Sequence, residues 1–207
     1  MSGLEAIAEV ADSRRAPRLI ERAESAAGAF ADERYQDARR ILAPIATEIP
    51  NVAVVRELMG LTLYKLGRWK DASRELEAFD ELTNGSTEQH PVLADCHRAL
   101  GHHAKVHELW LELKDVSPSP WLVAEGRIVA AGDLADQGRL ADAIRLLEGG
   151  WRIPKRVRPD HLRRAYALAD LRERAGDLPG ARALFGWIVG VDPTFADAVE
   201  RLAATGS

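Results

Sequence analysis

A spacing of about 34 residues constrains this chain more than any other feature of its sequence. It is clearest around Gly60–Ala72, Gly-Leu-Thr-Leu-Tyr-Lys-Leu-Gly-Arg-Trp-Lys-Asp-Ala, which reads as the end of one helix, a Gly-centred turn and the start of a second. With Ala72 as anchor, equivalent positions fall at Ala38, Ala72, Val106, Ala143 and Ala181, separated by 34, 34, 37 and 38 residues. Twelve residues before each anchor stands a small residue, Ala26, Gly60, Ala94, Ala131 and Ala169. Five before stand Glu33, Gly67, Gly101, Gly138 and Gly176, and four after stand Leu42, Leu76, Trp110, Leu147 and Phe185. Each slot has a physical reason. A small side chain lets two helix axes approach closely. Glycine ends a helix in the left-handed conformation that other residues adopt only at a penalty. A large apolar residue one turn past the anchor shares its helix face and fills the space between hairpins. Twelve after the anchor come Pro50, Asn84, Pro118, Lys155 and Pro193, three of them prolines that stop one helix or open the next.

With these slots in place the chain resembles the tetratricopeptide repeat (TPR) family, whose unit is a 34-residue helix–turn–helix. The consensus positions fit in the fifth unit at Leu168-Ala169, Ala181, Phe185 and Pro193, and in the second at Met59-Gly60, Ala72 and Leu76. The family's tryptophan, four residues before the small position, is replaced throughout (Arg22, Arg56, His90, Arg127, Ala165). The resemblance runs from Leu19 to Val191. It implies an all-α fold, a right-handed α-solenoid of about five TPR-like repeats closed by a C-terminal capping helix. An unrelated alanine-rich helical bundle is the alternative, which five units in register disfavour. The runs His90-Pro-Val-Leu-Ala-Asp-Cys96 and Glu125-Gly-Arg-Ile-Val-Ala-Ala-Gly132 are similar to uncharacterised bacterial members of the family, and the Ala- and Arg-rich composition is consistent with that.

Residues 1–17 read as a short helix or a disordered arm: Ser2-Gly-Leu-Glu5 fits a capping box, and Leu4, Ile7, Ala8 and Ala11 form a stripe. Residues 18–205 form the expected solenoid, with repeats at about 19–50, 52–84, 87–118, 122–155 and 160–193 and a capping helix at 193–205. Pro44 is expected to kink the second helix of the first repeat, and Pro91 to delay the first helix of the third until about His90. Asp192 is expected to cap the last helix, with Pro193 in its first turn and Phe195, Ala198, Val199 and Leu202 as its apolar stripe. A solenoid needs such an element to cover its exposed end.

Composition narrows the function. The 207 residues are 46% hydrophobic and 29% charged, with a net charge of −4. That is a folding composition without the positive field that nucleic-acid binders present to phosphates. The N-terminus has no basic n-region, and no stretch reaches the ~18 apolar residues of a membrane helix, so a cytoplasmic location without membrane association is expected by default. One cysteine, Cys96, excludes an intrachain disulfide. There is no GxxxxGK[ST], GxGxxG or GxSxG, so neither enzymatic activity nor a cofactor is expected. His90, His97, His102, His103 and His107 cluster in one repeat, and His103 and His107 sit four apart. That spacing can chelate a metal, which makes His97, His103 and His107 the weak metal candidates. Against a site, there is neither an HExxH motif nor a cysteine pair, and His103 holds a packing slot. The basic segment Arg152, Lys155, Arg156, Arg158, Arg163 and Arg164 could meet phosphate, but interleaved prolines and an acidic chain favour a solvated inter-repeat loop.

In TPR proteins the first helix of each pair lines the binding surface. Carried onto this sequence, that face comprises Ile20, Ala23, Ala27 and Phe30, then Val54, Glu57, Leu61, Tyr64 and Lys65, then Glu88, Asp95 and Arg98. The fourth unit adds Glu125, Ile128, Gly132 and Asp136, and the fifth Arg163, Tyr166, Asp170, Glu173 and Arg174. The face is apolar at its N-terminal end and mildly acidic beyond. Family members that clamp a chaperone C-terminus use Lys, Asn and Arg at set positions of this face, and the corresponding first-repeat positions here are Ala23 and Ala27, which argues against that partner. The resulting expectation is a non-catalytic module binding a protein or peptide segment that offers apolar anchors and positive charge, with the chain itself a monomer or weak homodimer. Its best contacts are Glu57, Leu61, Tyr64, Lys65, Asp95, Arg98, Glu125, Ile128, Arg163, Tyr166 and Asp170. A self-associating scaffold subunit and a metal-binding protein are the alternatives.

Overall fold

The slots become packing positions once the chain is folded. A computed structural model describes residues 5–206, and among these there are helices and turns but no strand. The helices in order are α1 (Glu5–Val10), α2 (Ala16–Ala31), α3 (Tyr35–Glu48), α4 (Ala53–Lys65), α5 (Trp69–Leu82), α6 (His90–Ala99) and α7 (His103–Val116). Then come α8 (Pro120–Asp136), α9 (Leu140–Glu148), α10 (Pro159–Arg174), α11 (Leu178–Val191) and α12 (Ala198–Ala204). The fold class is an all-α helical-repeat solenoid. The Ser2–Leu4 part of the expected capping box lies outside the described residues.

Every small, anchor and large slot is buried. Ala26, Ala131, Ala169, Ala38, Ala72, Ala143 and Ala181 are fully enclosed, as are Leu42, Leu147 and Phe185. The glycine slot adopts positive φ in all five units, 59° at Glu33 and 69–83° at Gly67, Gly101, Gly138 and Gly176. Each turn closes with the same pair of bonds. In the second unit Gly67 N–H donates to Tyr64 O at 2.9 Å and Arg68 N–H to Leu63 O at 2.9 Å. This is the Schellman arrangement, which satisfies carbonyls that the ending helix would otherwise leave open.

The chain divides between Lys105 and Val106 into two compact units. In the first, α2 packs on α3, α3 on α4 and α4 on α5. A core of Ile7, Leu19, Ala23, Ile45, Ala46, Ile49, Val52 and Val55 fixes α1 to the first hairpin. In the second, α8 packs on α9, α9 on α10, α10 on α11 and α11 on α12, around Leu147, Leu162, Leu168, Phe185 and Ile188. Pro44 and Pro91 occupy different positions in their helices. α3 continues through Pro44 with Ile45 and Ala46 buried beyond it, whereas Pro91 sits in the first turn of α6, preceded by a 3-10 turn at Thr87–Gln89.

The capping helix is shorter than the sequence suggests. α12 begins at Ala198, five residues after Pro193. Asp192 does not cap it: its carboxylate accepts from Thr194 N–H at 2.9 Å and from Thr194 Oγ1 at 2.7 Å. Ala196 then takes φ 49°, which no helix accommodates. The segment 193–197 is therefore a turn, and Phe195 packs from that turn rather than from the helix.

Candidate functional site

The first unit carries an apolar cleft of about 320 Å³, lined by Ala23, Ala27, Leu42, Val54, Val55, Glu57, Leu58 and Leu61. It exists because small residues on α2 face larger aliphatic ones on α4, so the two helices leave a trough floored by Leu42. Four of the face residues, Ala23, Ala27, Val54 and Leu61, meet there with Glu57 at the polar end. Leu58 and Val55 also line it and were missed in the sequence, because the transferred face follows one narrow stripe while a trough takes residues from both sides of that stripe. Glu57 is half-buried, and Gln89 Nε2 donates to it at 2.8 Å. Burial pushes its carboxyl above the usual range, and Glu88 adds to this against the hydrogen bond from Gln89.

Most other candidate residues are tied to a neighbouring helix. Tyr64 Oη donates to Asp95 Oδ2 at 2.7 Å, while its ring stands edge-on to Trp69 at 5.3 Å. Arg98 lies 3.5 Å from the other oxygen of Asp95. Lys65 is exposed at the end of α4. In the second unit Arg163 forms two parallel bonds of 2.7 Å to Glu125, and Ile128 packs against the core. Tyr166 Oη donates to Asp197, and its ring meets Phe185 and Phe195 at 5.8 and 5.9 Å. Burial raises the Tyr166 phenol, and the Asp197 carboxylate raises it further. Asp170 accepts from Arg201 at 2.9 Å, and Arg201 also reaches Glu173. Burial alone would lower the Arg201 guanidinium, but Glu173 and Asp170 hold it above its ordinary value. The Tyr64–Asp95 and Tyr166–Asp197 bonds both span 31 residues: the first ties α4 to α6 and the second ties α10 to the residue that precedes α12.

The histidines do not gather as a chelate would need, and His103 is exposed rather than packed in its hairpin slot. His97 Nδ1 faces His102 Nδ1 at 3.2 Å, and His97 Nε2 lies 3.2 Å from Glu77. His103 and His107 are both exposed on α7. Among the described residues no three His, Cys, Asp or Glu side chains form a group that could hold a metal. Burial pulls the His97 imidazole below its ordinary value against the raising effect of Glu77. Cys96 is buried, and burial pushes its thiol up to about 12, leaving no thiolate for chemistry near neutral pH.

The basic segment is not uniformly solvated. Arg152, Lys155 and Arg156 are exposed, and Arg158 pairs with the buried Asp160 through two bonds of 3.0 Å. Arg164, by contrast, turns inward to donate to Leu147 O and Gly149 O. Trp151 and Trp187, placed by sequence in a connector and past a packing face, meet edge-on at 5.8 Å.

No protein-family model matches the sequence, and a comparison with curated proteins gives no match. Solved structures do match. A thermophilic TPR protein of Thermus thermophilus, TTC0263, is similar over 90% of this chain and 98% of its own, with a TM-score of 0.68 at 18% identity. This chain has the TPR fold. The TPR domain of P58(IPK) also matches, at 21% identity with a TM-score of 0.47, and the chain spans about half of that structure's length, 56%. Among the described residues of this TPR-fold chain, no helix is long and apolar enough to cross a membrane.

Proposed function

We propose that the chain is a non-catalytic interaction module and that its first unit binds a protein or peptide segment through the cleft between α2 and α4. The observation that carries this is the cleft itself: about 320 Å³ of almost wholly apolar lining with a single carboxylate, Glu57, at its edge. Interface anchors are large side chains seated in such troughs, with polar groups at the rim fixing orientation. The complementary segment carries an aliphatic or aromatic anchor next to a lysine or arginine. Its cation would offset the burial that raises Glu57 and return that carboxylate to its ordinary range.

The test is affinity capture from the native cell extract with wild type, Ala27→Trp and Glu57→Gln. Ala27 is exposed on α2, so an indole there fills the cleft without displacing the core. Partners that use the cleft should be lost with Ala27→Trp and recovered several-fold less with Glu57→Gln. Equal recovery of every partner by all three proteins would remove this reading.

A further inference from the structure

Two guanidinium groups in the second unit lack a counter-charge. Arg127 on α8 donates to Gly149 O at 2.7 Å, and Arg164 on α10 donates to Leu147 O and Gly149 O. These carbonyls close the C-terminus of α9, and neither arginine has a carboxylate partner among the described residues. Both are held by stacking: Arg127 lies 5.6 Å from the Trp110 ring centre and Arg164 5.4 Å from that of Trp151. Burial lowers both groups, Arg164 to about 10 with the charge of Arg127 contributing. A helix C-terminus offsets about half a unit charge, so well over one positive charge remains.

The first unit provides an internal control. Arg56 occupies the same repeat slot as Arg127, four residues before the small position, and likewise donates to a carbonyl, Pro50 O, at 2.7 Å. Arg56 is also ion-paired to Glu75, a carboxylate buried beneath it. Glu75 lies three residues past its anchor Ala72, and the same position after Ala143 is Leu146. The repeat thus supplies an anion at this slot in one unit and omits it in the other.

The omission faces a cleft. Arg127 and Arg164 line a cavity of about 320 Å³ together with Pro118, Val123, Arg158 and His161. Asp160, which also lines it, is already neutralised by Arg158. No hydrogen bond among the described residues uses Arg127 Nη2 or Arg164 Nη1. We propose that this cleft binds a phosphate monoester, whose oxygens are held by Arg127 and Arg164. The group carries a charge of about −1.5 to −2 at neutral pH and has three acceptor oxygens, so it can take a forked pair from Arg127 and a separate N–H from Arg164 Nη1, which matches the surplus better than a single carboxylate does. The monoester belongs either to a phosphorylated protein side chain or to a small phosphorylated metabolite. The site is in the second unit and does not rest on the cleft between α2 and α4.

The experiment titrates the full chain with glycerol phosphate and with a blocked Gly-phosphoserine-Gly peptide. Calorimetry gives affinity, and the side-chain Nε–H resonances of Arg127 and Arg164 report the contact. Saturable binding that moves both resonances is expected, weakened at least about tenfold in Arg127→Gln. Tighter binding of the peptide identifies a phosphoprotein as the source, and equal or weaker binding a small molecule. If Arg127→Gln fails to fold, Arg127→Lys keeps the charge and is expected to weaken binding several-fold through loss of the fork. No saturable binding at millimolar phosphate, or binding that leaves both arginine resonances unmoved, overturns the proposal.

Discussion

Gly28 and Gly60 are both helical glycines, yet the space around them sets opposite expectations for the same kind of change. A Cβ on Gly60 would lie 2.7 Å from both Cγ and Cδ2 of Leu76, whose backbone N is 3.3 Å away. Leu76 is itself buried, so it has nowhere to go. Gly60→Val is therefore expected to destabilise by about 1–3 kcal/mol through overpacking. A Cβ on Gly28 would meet nothing within 4 Å. Gly28→Ala should stabilise by about 0.5–1 kcal/mol, because glycine loses more backbone entropy than alanine in a helix. Urea unfolding of the two variants checks both signs. The identity of Gly60 as a close-approach position is legible in the repeat slot, which alanine fills in the other four units. The distance that makes even one methyl too many is set by the rotamer of Leu76, which no spacing encodes. Residue-scale legibility also fails at Tyr166: its position on the face can be transferred, but its engagement by Asp197 and Arg201 depends on how the last turn folds back.

At the scale of elements, the five turns are the most repetitive part of the molecule, and the first is the exception that tests their energetics. Glu33 holds φ 59° where the other four units use glycine. A side chain in that conformation is disfavoured by about 1–2 kcal/mol, against about 0.5–1 kcal/mol that glycine loses by widening the unfolded ensemble. Glu33→Gly should therefore raise stability by about 0.5 kcal/mol, and the reverse type of change, Gly67→Ala, should lower it by about 1 kcal/mol. Thermal unfolding followed by circular dichroism resolves the pair. Helix ends of this kind can be read from sequence because glycine, proline and the apolar period act within a few residues. The start of α12 cannot. Asp192-Pro193 has the composition of a helix N-terminus, but the Asp192 carboxylate closes a local turn with Thr194 and Ala196 bends the chain away from helix. Both outcomes are compatible with the local sequence. Packing of Phe195 and Ala198 into the α10–α11 core selects between them.

Among the described residues each compact unit carries a hydrophobic core, and repeat proteins distribute stability along the chain through neighbouring contacts. The tryptophans are distributed unevenly: Trp69 is in the first unit and Trp110, Trp121, Trp151 and Trp187 in the second. Ile45 is fully buried in the first core, so Ile45→Ala should cost about 2–5 kcal/mol. In that variant the helical signal is expected to begin falling before the tryptophan fluorescence does; coincident transitions would mean that the chain unfolds as one cooperative block. By itself the sequence determined the helical class and the burial of the small, anchor and large slots. These follow from periodicity and turn chemistry, which are local and repeat. Tertiary structure alone decided which inward or half-exposed groups are satisfied. It closed Tyr64 onto Asp95 and Arg163 onto Glu125. It opened the trough between α2 and α4 and left Arg127 and Arg164 on backbone carbonyls, without a carboxylate partner among the described residues. Such outcomes depend on the side chains of a neighbouring helix some 20–40 residues away, and a repeat constrains its own backbone far more tightly than the charges its neighbour presents.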